Sequence, residues 1–151
     1  MEEFKSIDDI LDFAINSEQE AVDFYTQLAN QSSNEEMEKV FTKFAREEMG
    51  HKSRLMNIKE TGAYEMRETQ VKDLKIADYL VDVEAKPNMS YQEALIVAMK
   101  KEKSAFKLYM NLSEKAGTPE MQEVFLGLAQ EESKHKLRFE LEYDEYVLRE
   151  N

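Results

Sequence analysis

The chain contains no cysteine. That excludes disulfides, thiolate-bound iron-sulfur clusters and CxxC metal or redox motifs, so any redox chemistry needs another kind of centre. Glycine and proline are scarce, at 4 and 2 of 151 residues, and the turns of a β-rich protein are therefore largely missing. No stretch approaches the roughly 18 apolar residues of a membrane span. The beginning, MEEFKS, is acidic with no apolar run behind it, so a cytoplasmic location is the simplest expectation. Basic residues are the minority, 20 against 32 acidic ones, and the formal charge of -12 repels phosphate backbones and anionic lipid. Nucleic acid and membrane partners are disfavoured on that ground.

What is present is helical and apolar enough to fold. With 42% hydrophobic residues and a length near that of one domain, residues 1–151 are expected to form a single all-α domain. The sequence also repeats itself. Shifted by 84 residues and without a gap, Ser6 falls on Ser90, Glu18 on Glu102, Tyr25 on Tyr109, Met37 on Met121, Glu48 on Glu132 and His51 on His135. Across the 49 positions from Ser6 to Arg54, 17 residues are identical to their counterparts, which marks an internal duplication of about 6–60 onto 90–146.

Each repeat reads as two helices. Ser6 precedes Asp9, and Ser90 precedes Glu93, at the spacing of a capping box. Helices are predicted from about Ser6 to Asn30, Glu35 to Glu60, Ser90 to Lys115 and Pro119 to Tyr146. Asn34 and Thr118 are the expected N-caps of the second and fourth, with Pro119 at the first helical position it favours. Leu11, Ala14, Ala21, Phe24 and Leu28 recur at helical spacing, as do Leu95, Ala98, Ala105, Leu108 and Leu112, giving each helix one buried stripe. Met37, Val40, Phe41 and Phe44, with Met121, Val124, Phe125 and Leu128, are expected core. Breaks of a few residues force antiparallel hairpins, and the segment from Thr61 to Met89 is long enough to cross between them. Gly62 opens it, Pro87 lies near its end, and the run from Val71 to Glu84 is predicted as a short helix within it. The expected architecture is a four-helix bundle of two hairpins with one long crossover.

Two sequences carry chemistry: Glu48-Met49-Gly50-His51 and Glu132-Ser133-Lys134-His135. Three residues apart on a helix, a carboxylate and an imidazole share one face. His51 and His135 are the only histidines in the chain, and both fall at the same point of the repeat. A metal pair in a bundle also needs carboxylates from the other two helices, and the matched residues Glu18 and Glu102 supply one each. Four carboxylates and two imidazoles form the ligand set of di-iron and di-manganese carboxylate bundles. Such donors suit iron or manganese better than copper, with zinc able to occupy the site. Glu18 faces inward with Leu11, Ala14, Ala21 and Tyr25. Glu20 is displaced from it by about 200° around a helix and its repeat counterpart is Ser104, so Glu20 is left on the surface. Glu47 and Glu131 are duplicated too and sit four residues from the same histidines, so a shifted register or an outer-sphere role remains open for them. Tyr25 and Tyr109, two turns along the face of Glu18 and Glu102, are placed to orient a ligating carboxylate or simply to fill the core.

The pieces EQEAVDFY and EEMGH, then EKSAFKLY and EESKH, resemble the ferritin-like superfamily and most closely the di-iron domain of rubrerythrins, from Ser6 to about Tyr146. The resemblance implies that Glu18 and Glu102 are terminal ligands, Glu48 and Glu132 bridge two iron ions, and His51 and His135 complete the set. It implies a reduced di-iron centre that removes peroxide or reacts with dioxygen, fed with electrons by a partner. Typical rubrerythrins carry a cysteine-bound rubredoxin domain, so here the electrons are expected from a separate protein such as a rubredoxin. The family also has an extra Glu three residues after the third-helix ligand, used in a redox-linked exchange with a histidine. That position is Ala105, which brings the six-ligand set closer to bacterioferritin-like ferroxidase sites.

The leading expectation is a di-iron oxidoreductase acting on peroxide or dioxygen as a homodimer or larger homo-oligomer. Iron storage or ferroxidation is the alternative, although the 16 residues after His135 leave no room for the extra short helix of storage ferritins. A non-catalytic metal-binding bundle and a di-manganese catalase are the remaining readings.

Overall fold

Helix starts follow from side-chain caps, because the first N–H groups of a helix have no partner within it. In the computed structural model, which describes residues 3–66, 68–81 and 88–150, four long helices begin in this way. Helix α1 is Ile7–Gln31, with Ser6 accepting from the Asp9 N–H at 3.2 Å. Helix α2 is Glu35–Thr61, with Asn34 accepting from the Met37 N–H at 3.2 Å. A short helix α3, Glu68–Asp73, and a 3-10 turn, Ile76–Tyr79, come before α4, Tyr91–Lys115. Helix α5 is Pro119–Glu150, with the Met121 N–H donating to Thr118 Oγ1 at 3.2 Å. All four predicted caps are in place. Gly62 ends α2 in the left-handed region, at φ 67°, where a side chain would be strained.

The fold class is all-α, and among the described residues there is no strand. The chain divides into two compact units, Met1–Lys75 and Ile76–Asn151, each built on one hairpin. In the first, α1 and α2 run antiparallel, as shown by Lys59 bonding Asp12 and Lys52 bonding Gln19, both at 2.6 Å. Ile10, Ala14, Tyr25, Met37, Phe41 and Leu55 are its most deeply buried hydrophobic residues, with Leu11 close behind. In the second, Tyr91 pairs with Glu142 at one end and Ser113 with the Gln122 carbonyl at the other, and the Tyr109 and Phe125 rings meet at 6.1 Å. The stripes predicted from spacing are the buried ones, with four exceptions: Val40, Ala105, Met121 and Val124 are half-buried.

The crossover departs from expectation. Instead of one helix from Val71 to Glu84, α3 starts earlier and ends at Asp73, a bend follows, and the chain resumes as a 3-10 turn. Residues 82–87, which include Glu84 and Pro87, lie outside the described residues. Tyr79 explains the break. Its carbonyl accepts from Ser104 Oγ, its hydroxyl accepts from Asn111 Nδ2 at 2.6 Å, and the Lys107 ammonium stands 6.0 Å from its ring. A turn pinned by three residues of α4 cannot also continue as a free helix. Among the described residues no helix is long and apolar enough to cross a membrane.

Candidate metal centre

Each hairpin gathers three ionisable side chains near its middle, and burial singles them out from the many acids of the chain. In the first, Glu18 from α1 meets Glu48 and His51 from α2, and they are 1%, 1% and 2% exposed. Helical spacing makes this possible: Glu48 and His51 occupy one face, and that face is the one α1 covers. In the second, Glu102 from α4 meets Glu132 and His135 from α5, again 1%, 1% and 2% exposed. All six residues predicted as ligands therefore come together with their own hairpin's set. The neighbouring acids are less buried, Glu131 being half-buried beside the 1% exposed Glu132. Glu20 is exposed, and Glu47 is half-buried with its carboxylate 3.8 Å from Lys43, whereas Glu48 is 1% exposed.

The distances describe what such a cluster can hold. Nδ1 of His51 is 3.5 Å from Glu18 Oε2 and 3.4 Å from Glu48 Oε1. Nδ1 of His135 is 3.4 Å from Glu102 Oε1 and 3.9 Å from Glu132 Oε1. These separations exceed the roughly 2.7–2.9 Å of a charge-assisted hydrogen bond. Donor atoms bound about 2.1 Å from a shared ion stand about 3.0–3.5 Å from one another, which is close to what both hairpins show. Within each hairpin the donor atoms of all three side chains lie within 4.8 Å of one another. Carboxylate oxygens with one imidazole nitrogen form a hard donor set that fits iron or manganese. Two carboxylates sunk in an apolar hairpin cost several kcal/mol each without a compensating charge, and a dication supplies that charge.

Tyr25 and Tyr109 are 0% and 1% exposed, on the same helix faces as Glu18 and Glu102. Their rings lie against Phe24 at 5.9 Å and Phe125 at 6.1 Å. A further acid, passed over in the sequence, is equally buried: Glu142, 3% exposed, takes the Tyr91 hydroxyl at 3.2 Å and the Arg149 guanidinium at 3.3 Å, with Arg138 at 3.9 Å. Burial, and then the carboxylate beside it, push the Tyr91 phenol above its ordinary 10.0. Glu142 is thus satisfied by cations and a phenol at the far end of the hairpin. The available signal was its repeat counterpart, Ile58, a core residue that shows the position faces inward.

Comparison with known proteins agrees with this geometry. A solved structure from Thermotoga maritima, of a ferritin-like diiron-carboxylate protein, is similar over 97% of this chain and 99% of its own, with a TM-score of 0.78 at 22% identity. At that identity the likeness shows the fold, which is ferritin-like. No curated protein matches the chain. The sequence profile of the rubrerythrin family matches residues 9–90 and 93–151, nearly the whole length, and the chain therefore belongs to the rubrerythrin family.

Proposed function

We propose that this protein is a di-iron carboxylate oxidoreductase that reduces hydrogen peroxide or dioxygen, using electrons from a separate donor protein such as a rubredoxin. The observation that carries the reading is the pair of matching triads, each buried in its own hairpin at the same point of the repeat. Glu18, Glu48 and His51 of the first hairpin and Glu102, Glu132 and His135 of the second would hold the two ions. Bound iron would supply the one-electron chemistry toward oxygen species.

The chain's own residues do the rest. Near-complete burial keeps bulk water from the triads and strengthens every charge interaction there. Tyr25 and Tyr109 would hold the carboxylates of their own helices in one orientation through the phenolic hydroxyl. Overall, one peroxide takes two electrons and two protons to give two waters, and the donor returns the electrons.

One observation favours ferrous iron itself as a second substrate. Ala105 offers no carboxylate where the family's peroxidases use one, so a redox-linked ligand exchange has no residue to work with. Rapid mixing of the ferrous-loaded protein, prepared without air, with deoxygenated peroxide or with a known amount of dioxygen separates the readings. The proposal expects one peroxide consumed for every two irons oxidised, and repeated turnover once a reduced donor is added. Oxidation that proceeds with iron leaving or accumulating, and no donor-dependent turnover with either oxidant, would instead establish ferroxidation.

A further inference from the structure

Single leucines on a protein surface are ordinary, but several along one face of a helix are not. Helix α5 exposes Leu126, Leu137, Leu141 and Leu148 at 39%, 57%, 51% and 74%. At about 100° per residue, their spacing places all four within about 60° of one another around the helix. The other hairpin provides the comparison. The repeat sets Thr42, Ser53 and Asn57 of α2 at the positions of Leu126, Leu137 and Leu141, and all three are exposed. A hairpin of this kind holds together with polar residues there, so the leucines serve something beyond its own core.

Charge identifies the occupant. Lys134 lies about one turn before Leu137, and Asp144 and Glu145 about one turn after Leu141, all exposed on the same side of α5. When α5 is laid antiparallel on a second copy with Leu137 over its Leu141, Lys134 meets the copy's Asp144 and Glu145, and Gln130 meets its Leu148. The two-fold axis then makes every contact twice. Parallel pairing would set lysine on lysine and acid on acid, which is repulsive. We propose that the outer face of α5, centred on Leu137 and Leu141, is a self-complementary surface through which two copies of this chain pair antiparallel. The overlap from Gln130 to Leu148 is about 28 Å of helix, small for a stable interface, so the pairing is reversible and concentration-dependent. Leu126, the least exposed of the four, falls outside it.

Sedimentation velocity on the full, metal-loaded chain over a wide concentration range tests this. The native protein should show a monomer–dimer equilibrium. Leu137→Ser with Leu141→Asn, which gives α5 the residues α2 carries, should raise the dissociation constant at least about a hundredfold, because each copy loses two buried leucines. Helicity and metal content should be unchanged. Lys134→Glu alone should weaken the dimer, and adding Asp144→Lys and Glu145→Lys should restore it. A native chain that is monomeric at every concentration overturns the proposal, including the case in which the stripe docks on another macromolecule. So does a dimer that survives the leucine substitutions, or a charge swap that restores nothing.

Discussion

The two hairpins agree at their centres and differ at their ends. Glu18, Glu48 and His51 are matched by Glu102, Glu132 and His135 in residue type, burial and spacing. Toward the helix ends the correspondence fails: Ile58, 4% exposed, stands where Glu142 is buried, and Ile7 stands where Tyr91 reaches that carboxylate. The caps differ also. Ser90 and Glu93 form a complete capping box, whereas Asp9, one methylene shorter than Glu, accepts from the Lys5 N–H at 2.8 Å while Ser6 caps alone. The shared part is therefore what a metal needs, and the divergent parts are alternative solutions to packing and capping, where many solutions work.

The largest effect should come from the shared part. Metal bound at about a thousand times its dissociation constant stabilises a folded protein by about 4 kcal/mol, and for this length each kcal/mol moves Tm by about 2–4 °C. Calorimetry before and after chelation should show a drop of about 8–16 °C, and His51→Ala or His135→Ala should each remove most of it. A clear inequality between the two histidine variants would break the equivalence of the hairpins.

Exchanging the divergent residues sharpens the contrast. Ile58→Glu places a carboxylate where the repeat supplies Arg54 as the counterpart of Arg138 but Glu65 in place of Arg149, and should cost about 3 kcal/mol in denaturant unfolding. Glu142→Ile should change stability by about 1 kcal/mol or less, because Arg149, half-exposed, returns to water when the buried charge is gone. Equal losses from both exchanges would mean that Glu142 does not simply replace an apolar neighbour.

A smaller effect comes from Tyr91, whose counterpart in the first hairpin is Ile7. The folded state holds the Tyr91 proton above the phenol's ordinary 10.0, so the native chain binds more protons than the unfolded one once pH passes that value. Stability should fall as pH rises above 10, and Tyr91→Phe should flatten part of that fall in alkaline unfolding curves. Tyr79 and Tyr64, also raised by burial, contribute in the same direction. Smallest of all, Ser90→Ala should cost about 1 kcal/mol by thermal unfolding. Asp9→Glu should add a few tenths if it completes the missing box.

Most of the site was legible because duplication and helical period act together. His51 and His135 are the chain's only histidines, and a shift of 84 residues aligns them with their glutamates. Glu48 could not be separated from Glu47 by that route, since both are duplicated and both sit near the histidine; burial of 1% against a half-buried neighbour separates them. The helix starts were legible from Ser6, Asn34, Ser90 and Thr118 because capping is a local matter of side chain and backbone. The crossover was not. Its form depends on where Tyr79 meets Ser104 and Asn111, contacts about 25 and 32 residues away that no local pattern carries. Glu142 escaped notice for a related reason: its repeat counterpart Ile58 hints that the position faces inward, but the partners that make a buried acid tolerable there, Tyr91, Arg138 and Arg149, are brought together by the fold.

The central claim, that each buried triad holds a metal ion, is tested most directly by counting ferrous ions bound per chain under anaerobic titration. The native protein should take up about two, and His51→Ala with His135→Ala should lose nearly all of that uptake. No specific uptake by the native chain, or equal uptake by the double variant, would contradict it.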